Sequence, residues 1–502
     1  MSFYSLVSCQ SVPMNFKAPE SYALTETSDT YFGKFLAPSV HANPGKSGFY
    51  PLQAGTDAFV ARLESVRRAE KSLDVQYYIW HDDLVGKMLF HEILAAADRH
   101  VRVRLLLDDL HIGQYQDLLL VLDSHPYIEV RMFNPFTNRS LRILEVFRFS
   151  QINRRMHNKV LIADNQTSII GGRNIGNEYF TASRESNFGD FDVWCFGPVV
   201  GESSHAFDLY WNHRLSVPIS VLNKREVGGG ELSHLQSELR DLIKSPEAAM
   251  YTKEMFDSNL AKEMRLGKIS SFWGKAKVFS DSPEKVAGES YKTTSMLNQV
   301  TALPIKADKE IFIVSPYFIP GKKGVDYFKR KHQEGVKVTV FTNSLASNDV
   351  PLVFAGYKKY RKGLLKAGVE IYEMRPKVTP KKKKVKASIS AGARLGLHGK
   401  AYVFDRRVMF VGSMNLDPRS VELNSEMGVL FESPELAQKF VELTSLELPD
   451  IAYKVVVDEK GKMEWITHEG EKQVRVDSEP ETSIWKSFEA GFLSLFVPES
   501  ML

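Results

Sequence analysis

His157-Asn158-Lys159 is followed four residues later by Asp164, and after six more by Gly171-Gly172-Arg173-Asn174. The chain contains the same spacing again, as His398-Gly399-Lys400, Asp405 and Gly412-Ser413-Met414-Asn415. His, Lys, Asp and Asn are all displaced by 241 residues. Four polar residue types in one gapless spacing, present twice, mark an internal duplication. His and Lys stand two apart, which puts them on one face of a strand. Val160-Leu161-Ile162 and Ala401-Tyr402-Val403 continue that strand in each copy. Asp164-Asn165-Gln166 and Asp405-Arg406-Arg407 have turn chemistry. Ser168-Ile169-Ile170 and Val408-Met409-Phe410-Val411 then return. Each copy is therefore expected to be a β-hairpin ending in a small-residue pair and an Asn. His, Lys and Asn should converge, with the Asp holding the turn.

A lone His on a strand is usually structural, but two full copies in register favour catalysis. Zinc is a poor fit, because a cationic Lys belongs in no metal shell and the chain has only 2 Cys. A pocket of His, Lys and Asn donors suits a phosphate instead.

Both copies resemble the HxKx4Dx6G(G/S)xN signature of the phospholipase D superfamily. From about Ser21 to Leu502 the chain is similar to bacterial cardiolipin synthases of the C type. Ser47-Gly48-Phe49-Tyr50-Pro51-Leu52, Asp74 to Trp80, Arg155 to Lys159, Gly171 to Phe180 and Gly412 to Ser420 carry that resemblance. Phe354, where the group has His, and a longer Lys-rich loop depart from it.

The rest of the chain fits an α/β fold of two tandem phospholipase D-like repeats. Each would be a mostly parallel or mixed sheet flanked by helices, with one active site at their interface. Its 502 residues alone would allow about three domains. Residues 1–48, with Pro13, Pro19, Pro38 and Pro44, read as an irregular lead-in. Within it Leu6-Val7-Ser8-Cys9 resembles a lipoprotein lipobox, yet lacks the basic and apolar regions that should precede one. The first repeat is placed at 49–217, connecting helices at 218–270, the second repeat at 271–450 and an extension at 451–502. Helix patterns at 57–70 and 85–98 alternate with strands at 73–80 and 101–107, the signature of βαβ units. Strands near 308–314 and 336–341 repeat the plan.

Charge is close to balanced, with 65 basic and 61 acidic residues, which disfavours a nuclease. No apolar run of about 18 residues occurs, so no membrane-spanning helix is expected. Arg142, Arg148, Arg154 and Arg155 could meet lipid phosphates or form a solvated face. The Lys381-Lys382-Lys383-Lys384 loop invites the same pair of readings, lipid contact or a solvated insertion. At the C-terminus Ile484, Trp485, Phe488, Phe492, Leu495 and Phe496 share a helical face, which either lies in a membrane interface or packs on the body.

Each repeat also has a carboxylate downstream of its Asn: Asp190, with Asp192 as the fallback, and Glu426. Such groups would fix the tautomer of the catalytic histidines. The resemblance implies a catalytic set of His157, Lys159, Asp164, His398, Lys400 and Asp405. It implies phosphate binding by Lys159, Asn174, Lys400 and Asn415, His157 as nucleophile, His398 as acid, and no metal or organic cofactor. The implied activity is phosphatidyl transfer onto phosphatidylglycerol, giving cardiolipin through a phosphohistidine. Phosphatidylethanolamine is a possible second substrate, no nucleic acid is implied, and the location is the bacterial inner-membrane surface, peripheral or lipid-anchored. Hydrolysis to phosphatidic acid is the alternative, because the same phosphohistidine serves both reactions; a lipid-binding protein without activity is a further one.

Overall fold

The computed structural model describes residues 18–113, 115–136, 153–289, 295–301, 307–377, 392–469 and 472–482. Cys9, Arg142, Arg148, the lysine run and the aromatic C-terminal stretch lie outside them.

The first repeat supplies strands β1 (Ser47–Leu52), β2 (Ser72–Tyr77), β3 (Arg102–Asp108), β4 (Ile128–Phe133), β5 (Val160–Ala163), β6 (Thr167–Gly171), β7 (Ser186–Gly189), β8 (Asp192–Phe196) and β9 (Ser216–Pro218). The second supplies β10 (Phe272–Ser280), β11 (Glu310–Val314), β12 (Lys337–Asn343), β13 (Glu370–Met374), β14 (Arg394–Leu397), β15 (Ala401–Phe404), β16 (Val408–Gly412), β17 (Met427–Glu432) and β18 (Ala452–Val457). A final hairpin, β19 (Met463–Glu469) and β20 (Lys472–Val476), extends it. Pairing runs β1-β8-β6-β5-β2-β3-β4-β9 in one half and β10-β17-β16-β15-β11-β12-β13-β18 in the other. The order is identical, and β1 pairs with β10 to join the halves. Only β2-β3-β4 and β11-β12-β13 are parallel within these runs, so each sheet is mixed rather than mostly parallel. The parallel trios are linked by the helices expected of βαβ units, Leu84–Asp98 and Gly321–Gln333 among them.

Besides a core within each half, the two build one interior together. One core draws Phe49, Met156, Phe191 and Val193 from the first repeat and Phe312, Val403, Phe431 and Phe440 from the second. Phe49 stacks on Phe431 at 4.5 Å, and Phe191 meets Phe440 edge-on at 4.9 Å. Each such buried side chain contributes roughly 1.5–3 kcal/mol, so this shared core fixes the halves against each other.

Three expectations need correction. The lead-in contains a helix, Tyr31–Ala42, despite Pro38; Thr30 caps it and Phe32 packs on Trp194 at 6.0 Å. Its irregular part is held by buried arginines, Arg104 donating to the Ser21 carbonyl and Arg131 to that of Pro19. The connecting helices Glu231–Ile243, Pro246–Phe256 and Asn259–Arg265 are not a free linker. Leu235, Leu239, Tyr251 and Leu260 enter the core of the first repeat. The boundary placed at 451 falls just before β18, which pairs with β13 as an integral strand. Phe354 is fully buried in the core of the second repeat.

Candidate active site

Both hairpins turn through two consecutive residues with positive φ: Asp164 (52°) and Asn165 (50°), then Asp405 (49°) and Arg406 (51°). Three residues connect the strands in each copy, Asp164–Gln166 and Asp405–Arg407, and the first two take the left-handed conformation that tight hairpin turns use. The motif aspartates act here. Asp164 accepts from the amides of Glu70, Lys71 and Ser72, and Asp405 from those of Asp308, Lys309 and Glu310. Each thereby pins its hairpin to the start of the neighbouring central strand. Asp164 and Asp405 stand at the far end of a four-residue strand from the His and Lys, outside the reacting group. Their inclusion among the catalytic residues is corrected accordingly; their place in the turn is as expected.

At the other end of the hairpins the repeats exchange partners. His157 Nδ1 bonds Glu426 Oε2 at 2.8 Å, and His398 Nδ1 bonds Asp190 Oδ2 at 2.6 Å. Each histidine is thus oriented by the other repeat's carboxylate. The backbone shows why. β14, leading into His398, runs parallel to β7, leading into Asp190, and the His398 amide donates to the Gly189 carbonyl at 2.8 Å. Correspondingly, Met156 bridges to Ser425, and the His157 amide donates to the Ser425 carbonyl at 2.9 Å. Asp192, the fallback, is engaged elsewhere: it is buried between Arg62 (2.8 Å) and Arg173 (3.3 Å).

Lys159 and Lys400 are buried and fold back onto the carbonyls of His157 (2.7 Å) and His398 (2.5 Å). Lys400 also lies 3.2 Å from both ring nitrogens of His398. Asn174 accepts from the Ile79 amide and donates to the Tyr179 hydroxyl at 3.0 Å. Asn415 is buried, and its Oδ1 has no hydrogen-bond partner among the described residues.

Burial and the neighbouring lysines push His157 well below its ordinary range. His398 is lowered by burial and Lys400, with Asp190 opposing. Burial also lowers both lysines. The carboxylates diverge. Burial raises Glu426 to about 7. At Asp190 burial is outweighed by His398 and nearby cations, which hold it below the usual carboxylate range. One pair is therefore an ionised carboxylate beside a histidine, and the other an acid raised far above its ordinary range beside an imidazole pushed well below its own.

Several contacts escaped sequence reasoning. Tyr78 meets the His157 ring edge-on at 5.0 Å, and Tyr179 and Phe188 pack on His398 at 5.2 and 5.4 Å. Ser413 donates to Glu426 at 2.5 Å. Its counterpart Gly172 has no room for a side chain, because a Cβ there would lie 2.3 Å from Asp190 Oδ1. Arg155 is buried against Asp108 and Arg154 bonds the Lys285 carbonyl, so neither forms a lipid-facing or solvated row. Among the described residues one group could hold a cation: His81, Asp83 and Glu178, with ligand atoms within 4.8 Å of one another. Only the Gly171–Phe180 block, which contains Glu178, brought part of it to notice.

Comparison with known proteins adds an independent line. A family described as Cardiolipin synthase, PLD-like domain matches residues 63–208 and 304–445, one match per repeat. Cardiolipin synthase C of Escherichia coli K12 is 38% identical over 475 residues, covering 93% of this chain and 98% of its own. Cardiolipin synthase B of the same organism is 24% identical over 387 residues, 77% of each chain. The crystal structure of phosphatidylserine synthase from Haemophilus influenzae Rd KW20 superposes with a TM-score of 0.55 at 14% identity, over 93% of this chain and 100% of that one. That last likeness speaks to the fold alone.

Proposed function

Because the chain belongs to the cardiolipin synthase family of phospholipase D-like enzymes, we propose that His157 and His398 divide one cycle of phosphatidyl transfer between the two repeats. The chain is a phosphatidyltransferase of that family. The observation that carries the division of roles is the crossed pairing of His157 with Glu426 and His398 with Asp190.

With Nδ1 engaged, each imidazole has Nε2 left for chemistry. Neutral His157 attacks the phosphodiester phosphorus; a P–N bond forms and the bond to the leaving oxygen breaks. His398, protonated beside ionised Asp190, gives its Nε2 proton to that oxygen. The now neutral His398 then takes the proton of an incoming hydroxyl, whose oxygen attacks the phosphorus and breaks the P–N bond. His157 returns neutral, and His398 returns protonated. The contrast between the two supports this order: burial and cations lower both histidines, but His157 is pushed well below its ordinary range, whereas Asp190 opposes the lowering at His398. Lys159, Lys400 and the amides of Asn174 and Asn415 stabilise the negative oxygens at the transition state.

The acceptor is phosphatidylglycerol, the donor phosphatidylglycerol or phosphatidylethanolamine, and the product cardiolipin. The enzyme works peripherally at the bacterial inner membrane; among the described residues no helix is long and apolar enough to cross one. Purified protein given vesicles of both lipids tests this by mass spectrometry. Cardiolipin is the expected product, and phosphatidic acid alone would make it a hydrolase.

A further inference from the structure

The duplication provides an internal control: a residue needed only for folding should have a chemically similar counterpart. One turn fails that test. His81 donates its backbone amide to the Ile175 carbonyl, and Ile319 makes the same bond to Leu416. The backbones therefore correspond, but the side chains do not. His81-Asp82-Asp83 in the first repeat stands where the second has Ile319-Pro320-Gly321, and Glu178 stands where the second has Arg419. The fold builds this turn without any of the polar groups.

In the first repeat they border a cleft of about 660 Å³, lined by His81, Asp82, Asp83, Leu110, His111 and Tyr115. That volume lies within the range of ligand sites. One wall is joined to the reacting centre through a single ring, that of Tyr78. His111 lies edge-on to Tyr78 at 5.2 Å with its Nε2 3.4 Å from the Tyr78 hydroxyl, and Tyr78 meets His157 at 5.0 Å.

The lining also selects the chemistry. The two carboxylates that line it, Asp82 and Asp83, together with Glu178 paired to His81, exclude a phosphate. They are already balanced: Asp82 by Lys87 at 3.3 Å, Glu178 by His81 at 3.2 Å, and Asp83 by the amides of Gly86 and Asn177. A cationic head would meet little uncompensated charge. Carboxylate oxygens with spare lone pairs, beside two imidazoles, instead match a group that donates and accepts at once. We propose that this cleft is the acceptor subsite and binds the terminal glycerol of the incoming lipid, presenting its hydroxyl to the phosphohistidine. The proposal rests on the transferase reading above.

The test compares acceptors. Phosphatidylethanolamine is the donor, with free glycerol, phosphatidylglycerol vesicles or methanol as acceptor, in wild type, Asp82→Ala and His111→Ala. Loss of hydrogen bonds that a site provides for a substrate hydroxyl changes selectivity more than basic turnover. The glycerol-over-methanol ratio of kcat/KM should therefore fall about tenfold in each variant. A fall with the vesicles alone would assign the cleft to the lipid head, and with both acceptors to glycerol chemistry in general; either supports the proposal. His81→Ile, which copies the second repeat, should lower the ratio further; both other substitutions are at exposed side chains, so the test stands if this one fails to fold. Ratios to methanol that stay within twofold of wild type for both glycerol and the vesicles in Asp82→Ala and His111→Ala overturn the subsite. A wild type that transfers to none of the acceptors overturns the transferase reading instead.

Discussion

Gly172→Ser copies the second repeat's Ser413 into the first, and so looks harmless from the motif alone. The geometry says otherwise. A Cβ at 172 would lie 2.3 Å from Asp190 Oδ1, where ordinary van der Waals contact begins at 3.4 Å. Relief needs a carboxylate shift of about 1 Å, and the Asp190–His398 bond of 2.6 Å would then exceed hydrogen-bond length. Charge-assisted bonds of this kind are worth about 1.5–3 kcal/mol, which corresponds to roughly 10- to 150-fold in rate if the loss falls on the transition state. The assay is kcat for phosphatidyl transfer across pH, with circular dichroism to check folding. The ionised Asp190 favours protonated His398, so its displacement should move the limb of the profile due to the acid to lower pH as well as reducing the maximum. A folded Gly172→Ser enzyme within threefold of wild type, with an unchanged profile, would refute the crossed-pair account.

His157→Ala and His398→Ala should each abolish nearly all turnover, yet a labelled phosphatidyl donor quenched without acid should leave label on His398→Ala only; label on His157→Ala reverses the roles. Asp164→Ala removes an acceptor for three backbone amides and should cost roughly 2–4 kcal/mol of stability, while the folded fraction keeps kcat within a few-fold; a loss of kcat without a loss of Tm would return Asp164 to the catalytic set. Glu426 is raised from 4.5 to about 7, so the folded state holds a proton that the unfolded chain has released. Its contribution is therefore present below about pH 4.5 and lost as pH rises toward 7, on the order of 3 kcal/mol. Glu426→Gln should flatten the fall of Tm across that window, and an unaltered fall would show that Glu426 is not the group responsible.

Most of the site was legible because duplication repeats the polar spacing. The strand assignment follows from period-two placement of His and Lys, and Asp190 and Glu426 stand out by their place downstream of each motif Asn. What could not be read was which carboxylate serves which histidine. That depends on β14 lying beside β7 and on Met156 bridging to Ser425, pairings across about 200 residues or more that leave no local pattern. The helix Tyr31–Ala42 was hidden by Pro38, where tertiary packing of Phe32 and Leu36 overrides propensity. Arg154 and Arg155 look like surface charge in sequence; only the fold shows Arg155 against Asp108.

Crossed pairing also gives a physical reason for keeping the two motifs in one chain. A repeat alone would carry a His and a Lys in one hairpin, but the carboxylate beside it would belong to the missing partner's imidazole. Separation would leave both carboxylates and both lysines without the charges that offset their burial, a large cost for groups removed from water. Fusion then lets the copies diverge. Beside Gly172, Asp190 makes a short, ionised pair with His398 at 2.6 Å, whereas Glu426, which accepts from the Ser413 hydroxyl and is raised to about 7, makes a longer pair with His157 at 2.8 Å. Two identical copies would give both histidines the same tendency to protonate. The unlike carboxylates break that symmetry, lowering His157 further than His398, which is the asymmetry that the proposed division of roles requires.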